Sequence, residues 1–174
     1  MSLTVETGAG VASAASYAAV ATADTYWSDR AHNALAATWA AATTGNKEGA
    51  LREATDYIDA SFGQFYRGKR AGRVQGLEWP RSDALDDSDV PLPGLPTELV
   101  KATCELAARA LSARLAKDQD RGGMVKRVRV EGAVEKEWMD GAPSEATYGY
   151  VAPMLAPILN GSQRFGGSPQ WNWR

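Results

Sequence analysis

Apolar positions follow a helical period in two long stretches of this chain and a period of two in a third. In "KEGALREATDYIDASF", Leu51, Ala54, Tyr57, Ile58 and Phe62 recur three and four residues apart, which gathers them on one helix face. Asn46 is the expected N-cap and Gly63 the expected stop, with Gly49 a mild weakness in between. "TELVKATCELAARALSARLAKD" repeats the pattern through Leu99, Ala102 or Thr103, Leu106, Ala110 and Leu111. It is expected to be the longest helix, opened by Pro96 and a Thr97 cap, with Cys104 a small buried thiol beside the stripe. "ADTYWSDRAH" behind a Thr22 cap, and "ALAATWAAAT" before Gly45, predict two shorter helices. "YVAPMLAPILNG" predicts a last short one, interrupted by Pro153 and Pro157.

Past Gly122-Gly123 the period changes. "VKRVRVEGAVEKEW" places Val128, Val130, Val134 and Trp138 on one face of a β-hairpin. A turn centred on Gly132 sets Arg129 opposite Glu135, Arg127 opposite Glu137 and Val130 opposite Val134. Each opposite-charge pair of that kind adds about 0.2–1 kcal/mol. Residues 63–96 contain Pro80, Pro91, Pro93, Pro96, Gly68, Gly72, Gly76 and Gly94, which exclude long regular elements. A loop of such length is functional or wrapped on a surface. Residues 1–15, broken by Gly8 and Gly10, read as extended and poorly anchored.

The expected fold class is therefore mainly α: a small helical bundle with one protruding β-hairpin, a long Pro/Gly-rich loop and an extended C-terminal arm. The expected organisation is an N-terminal segment 1–15, a helical domain 16–160 that includes the hairpin 125–138, and an arm 161–174. No internal repeat is present.

A chain of 174 residues, 44% hydrophobic and 23% charged, is long enough for one soluble domain with a real core. The net charge of -2 offers no basic excess to draw nucleic acid or membrane. Its distribution is uneven, with 8 Lys/Arg against 12 Asp/Glu in residues 1–96 and 11 against 9 in residues 97–174. The single cysteine excludes an intrachain disulfide, and the single histidine, His32, leaves little for a metal site. His32 reads as a surface or helix-end residue. The Ala-rich opening lacks the basic flank of a signal peptide, and no run approaches the roughly 18 apolar residues of a membrane span. The expectation is a soluble, unprocessed chain, made in the cytoplasm, without cofactor or metal.

Three motifs carry possible chemistry. "GQFYRGKR", Gly63 to Arg70, comes close to a phosphate-binding loop, but Arg70 stands where a magnesium-holding hydroxyl is required and the segment follows a helix. Asp83, Asp86, Asp87 and Asp89 supply oxygens, yet a calcium loop begun at Asp87 puts Pro91 and Leu92 where an acceptor and a glycine are needed. A solvated loop is the better account. Arg67, Lys69, Arg70 and Arg73, beside Phe65 and Tyr66, suit either a stacking grip on single-stranded nucleic acid or a salt-bridged loop at a subunit interface. No nucleophile elbow, metal-ligand pair or selected acid–base pair appears, so the chain does not read as an enzyme.

The C-terminus raises a separate question. Phe165, Trp171, Trp173 and Arg174 sit on a Gly-Ser-Pro tether, although burying each indole gains roughly 2 kcal/mol or more. Such rings either fold back on their own domain or sit in another subunit.

"ALREATDYIDASFG", "QGLEWPR", "LPTELVKATCELAARAL", "VKRVRVEGAVEKEW" and "YVAPMLAPIL", in that order, resemble a family of tailed-bacteriophage proteins labelled DnaT-like single-stranded DNA-binding proteins. The likeness covers most of residues 16–160 and extends to the head–tail connector (adaptor, or head-completion) proteins of long-tailed phages. It implies a structural virion protein at the head–tail interface. Such a protein forms a ring homo-oligomer, a dodecamer in the family, beneath the portal protein and against a tail-terminator or stopper ring. DNA passes through its lumen without tight binding, and no membrane is involved. By the same resemblance, Phe165, Trp171, Trp173 and Arg174 form a portal-docking arm. Arg67, Lys69, Arg70, Arg73, Arg127, Arg129, Glu135 and Glu137 then become candidates for subunit or ring–ring seams. The alternatives are a single-stranded DNA-binding accessory protein of replication and a tail-side stopper or terminator.

Overall fold

The computed structural model describes residues 2–92, 94–116 and 148–160, together with the backbone of 128–130 and 134–136. Among these residues the protein is mainly helical. The α-helices are α1 (Val20–Ser28), α2 (Ala34–Ala41), α3 (Thr44–Phe62), α4 (Thr97–Ala110) and α5 (Val151–Leu155). Single 3-10 turns follow α3 at Gly63–Phe65 and α5 at Ala156–Ile158. Two antiparallel strand pairs complete the inventory: β1 (Lys69–Arg70) with β2 (Arg81–Ser82), and β3 (Val128–Val130) with β4 (Val134–Lys136). Among the described residues, those of 2–115 and 149–160 belong to one compact unit, and β3 and β4 belong to a second.

α3 and α4 pack together as the spine of the first unit. Leu51, Ala54 and Ile58 of α3 and Leu99, Ala102 and Leu106 of α4 are all buried, as their spacing requires. α4 is buried well beyond one stripe, since Thr103, Cys104, Glu105, Ala107 and Ala108 are inside too. Small residues let helices approach closely from several sides, and α1, α2, α3 and α5 all touch α4. Burial raises the Cys104 thiol pKa to about 12, with the Glu105 charge adding to the effect.

Several element boundaries differ from expectation. α1 starts at Val20, ahead of Thr22, behind Ala19 in extended backbone and without a side-chain cap. Thr43 caps α3: its side chain accepts the Asn46 N–H at 3.3 Å, so the cap lies upstream of Asn46. Thr97 is the first residue of α4, which opens on Pro96 without a side-chain cap. α4 is also not the longest helix; its 14 residues are fewer than the 19 of α3. It ends at Ala110, and Leu115 is buried with its N–H on the Glu53 carboxylate at 2.8 Å. That long-range tie turns the chain where local periodicity alone would continue the helix.

The N-terminal segment is firmly held. Thr4 and Glu6 pair with Ala15 and Ser16 through backbone bonds of 2.9 and 2.8 Å. The Glu6 side chain turns inward, 1% exposed, and its carboxylate accepts the N–H groups of Thr7, Gly8, Gly10 and Val11 at 2.8–3.0 Å. Gly8, at φ +92, lies against Gly94, where a Cβ would come within 2.8 Å of the Gly94 Cα.

In the second unit the register is the expected one. Arg129 faces Glu135 and Val130 faces Val134. A period-two pattern about a single glycine turn admits little else when one face is apolar. Arg127, Glu137 and Trp138 lie outside the described residues.

Candidate functional site

The 63–96 segment, irregular by composition, is fixed by three polar anchors. Asp59, near the C-terminal end of α3, is the first. Its carboxylate oxygens lie 2.6 and 2.8 Å from the Tyr17 hydroxyl, which donates to them, and one accepts the Glu78 N–H at 3.0 Å. The Tyr66 hydroxyl is a further, longer donor at 3.5 Å. The Tyr17 oxygen in turn accepts the Trp79 N–H at 3.1 Å. One carboxylate thus ties the N-terminal segment, α3 and the "LEWPR" turn, whose Trp79–Pro80 bond is cis. Burial raises the Asp59 pKa to about 6, against the opposing hydrogen bonds from Glu78 and Tyr17. Burial, and then the Asp59 charge, pushes the Tyr17 hydroxyl far above its usual range, so the phenol keeps its proton.

Gln75 is the second anchor. It is buried, its amide donates to the Leu77 and Pro80 carbonyls at 2.8 and 3.0 Å, and its Oε1 accepts the Gly72 N–H at 2.7 Å. Arg67 is the third. Its guanidinium donates to the Leu159 carbonyl at 2.9 Å, to the Leu85 carbonyl at 2.8 Å and to the Asp87 carboxylate. The Arg67 fork therefore joins the start of the loop to its acidic part and to the turn after α5.

These anchors decide where the proposed basic–aromatic grip stands. Tyr66 is buried edge-on to Trp79, with ring centroids 5.6 Å apart, so its face is not open to a base. Arg70 donates to the Gln75 carbonyl at 2.8 Å and pairs with Glu78 at 3.7 Å. Arg81, missed by sequence reasoning, also pairs with Glu78 at 3.4 Å and sits 5.8 Å from the Tyr66 ring centroid. Lys69 and Arg73 stay exposed and make no ion pair among the described residues. Arg67 and Arg70 are thus paired within the domain, to Asp87 and Glu78.

The near-match to a phosphate loop is a 3-10 turn leading into β1, with Gly63 buried beneath Glu78. In the acidic stretch, the Asp86 carboxylate accepts the Ser88 and Val90 N–H groups at 2.7 and 2.9 Å and Asp87 holds Arg67. No group of acidic, histidine or cysteine residues suited to a metal occurs among the described residues. Among them, too, no helix is long and apolar enough to cross a membrane.

Arg129 and Glu135 are opposed in the β3–β4 ladder. Phe165, Trp171, Trp173 and Arg174 lie outside the described residues. A second buried polar group, also missed from sequence, sits between α1 and α4. Glu105 accepts the Tyr26 hydroxyl at 2.8 Å and pairs with Arg109 at 2.5 Å, while Arg30 stacks 3.7 Å over the Tyr26 ring. Polar residues of this kind carry no periodic signal.

No curated protein and no solved structure matches this chain. A family profile described as "Putative DnaT-like ssDNA binding protein" matches residues 1–169. The anchored loop, the helical spine and the hairpin thus sit in one chain that belongs to the DnaT-like ssDNA binding protein family.

Proposed function

We propose that this chain is the ring-forming subunit of a phage head–tail connector. In this reading it lies beneath the portal, passes DNA through its lumen, and docks by an arm containing Phe165, Trp171, Trp173 and Arg174. The observation that carries the reading is the internal bonding of three members of the basic–aromatic segment. Tyr66, Arg67 and Arg70 are engaged in internal ties, and the chain has a net charge of -2. A conduit for DNA must not hold phosphates tightly, because every neutralised phosphate adds a salt-sensitive grip. A rigid loop that closes on its own domain suits a subunit that meets neighbours through preformed surfaces.

The family description favours a second reading, a single-stranded DNA-binding accessory protein. Two measurements on the full chain separate them. Fluorescence anisotropy with a labelled oligonucleotide at moderate salt is expected to show weak binding for a connector. Tight binding with a steep salt dependence would establish the second reading instead. Co-sedimentation with portal rings is expected for the full chain and lost on deleting residues 165–174. Unchanged co-sedimentation of the truncated chain overturns the arm's role.

A further inference from the structure

The β1–β2 ladder has two ends of unlike chemistry. At one end, Ala71 to Pro80 connect the strands and form a tip bearing Arg73 and Val74. At the other, the chain leaves β2 into the loop bearing Leu85, Asp89 and Val90. Val74 is 80% exposed, Val90 54% and Leu85 41%; with Tyr150 these are the large exposed hydrophobics among the described residues. Three of those four therefore lie in the two loops that flank one short ribbon, Val74 on the connecting tip and Leu85 and Val90 in the loop beyond β2. Arg73 adjoins Val74, and Asp89 adjoins Val90, so the ends match in apolar character and oppose in charge.

Both ends are also held in shape. Gln75 closes the tip through its bond from Gly72, and the Gly76 N–H donates to the Val11 carbonyl at 3.1 Å. Asp86 closes the acidic loop by accepting from Ser88 and Val90, and the Leu92 N–H returns to the Ala84 carbonyl at 2.9 Å. Preformed loops lose little freedom on docking, which leaves more of the contact energy for affinity. Arg73 and Asp89 make no ion pair among the described residues, so each is available to a partner.

We infer that the Arg73–Val74 tip of one copy docks on the Leu85, Asp89 and Val90 surface of the next copy of this chain. Complementary charge and apolar content at opposite ends of one ribbon make the contact heterologous, head to tail, and such contacts close into rings or run on as filaments. The inference deepens the ring reading and rests on it. It names the seam.

The test is sedimentation velocity on the full chain over a wide concentration range. Wild type is expected to self-associate, and Arg73→Glu and Asp89→Arg are each expected to weaken association at least about tenfold, because reversal turns attraction into repulsion. An equimolar mixture of those two variants is expected to regain association, since each junction then joins opposite charges; the mixture also shows that both variants fold. Val74→Ser is expected to weaken association without changing charge. A monomeric wild type, or single reversals without effect, or a mixture that stays dissociated, overturns the inference. If reversals are silent while the wild type still forms rings and binds portal, the seam is wrong and the connector reading stands. If Arg73→Glu abolishes oligonucleotide binding and self-association is absent throughout, nucleic acid is the occupant and both readings fall.

Discussion

Replacing Tyr17 by Phe removes one oxygen and breaks two bonds at once. The Tyr17 hydroxyl donates to the Asp59 carboxylate at 2.6 Å and accepts the buried Trp79 N–H at 3.1 Å. An orphaned buried donor costs about 1–3 kcal/mol, and a hydrogen bond to a charged group contributes about 1.5–3 kcal/mol. Because the two losses share one network they overlap, and the expected destabilisation is about 3–5 kcal/mol. With an m-value of about 2 kcal/mol/M, the urea midpoint should fall by roughly 2 M.

The pH dependence gives a second signature. Asp59 has a folded pKa of about 6 against an ordinary 3.8, so the folded state holds that proton more tightly than the unfolded state. Stability from this group therefore rises as pH falls from above 6 towards 3.8, by on the order of 3 kcal/mol across the whole window. In Tyr17→Phe the carboxylate loses a donor that favours its charged form, so its pKa moves further up. The variant's deficit should thus be smaller at about pH 5 than at about pH 7. A midpoint shift under about 0.5 M at both pH values, or a deficit that grows on acidification, would refute the network's role.

Two further outcomes test the loop and the N-terminal segment. Glu6→Gln should lose about 1–3 kcal/mol, because the amide sets its own N–H groups against one of the backbone donors; faster hydrogen exchange at Thr7 to Val11 reports it. Gly68→Ala should lose more than about 2 kcal/mol in urea unfolding, since φ is +71 and the new Cβ would lie 2.3 Å from the Ser82 carbonyl oxygen. Gly72→Ala is the control, because its Cβ would meet only the Gln75 Oε1, at 3.9 Å.

The helices and the hairpin were legible because their signals are local. Leu51, Ala54 and Ile58 declare a buried face by spacing alone, and the valines about Gly132 declare a register. Boundaries were less legible. The end of α4 depends on Glu53 capturing the Leu115 N–H from 62 residues away, which no window of sequence contains. The basic segment showed its charge but not its direction. Whether Arg67 faces solvent or Leu159 depends on where the chain returns 92 residues later.

By itself, then, the sequence determined what period and turn chemistry can specify: a mainly helical chain, the buried faces of its two long helices, a hairpin and its pairing. Only the tertiary structure decided which polar residues serve as anchors. Glu6, Asp59 and Gln75 look like ordinary surface residues until their donors assemble around them. A buried carboxylate or amide is tolerated only when its bonds are completed, and the groups that complete that of Asp59 come from segments up to 42 residues away.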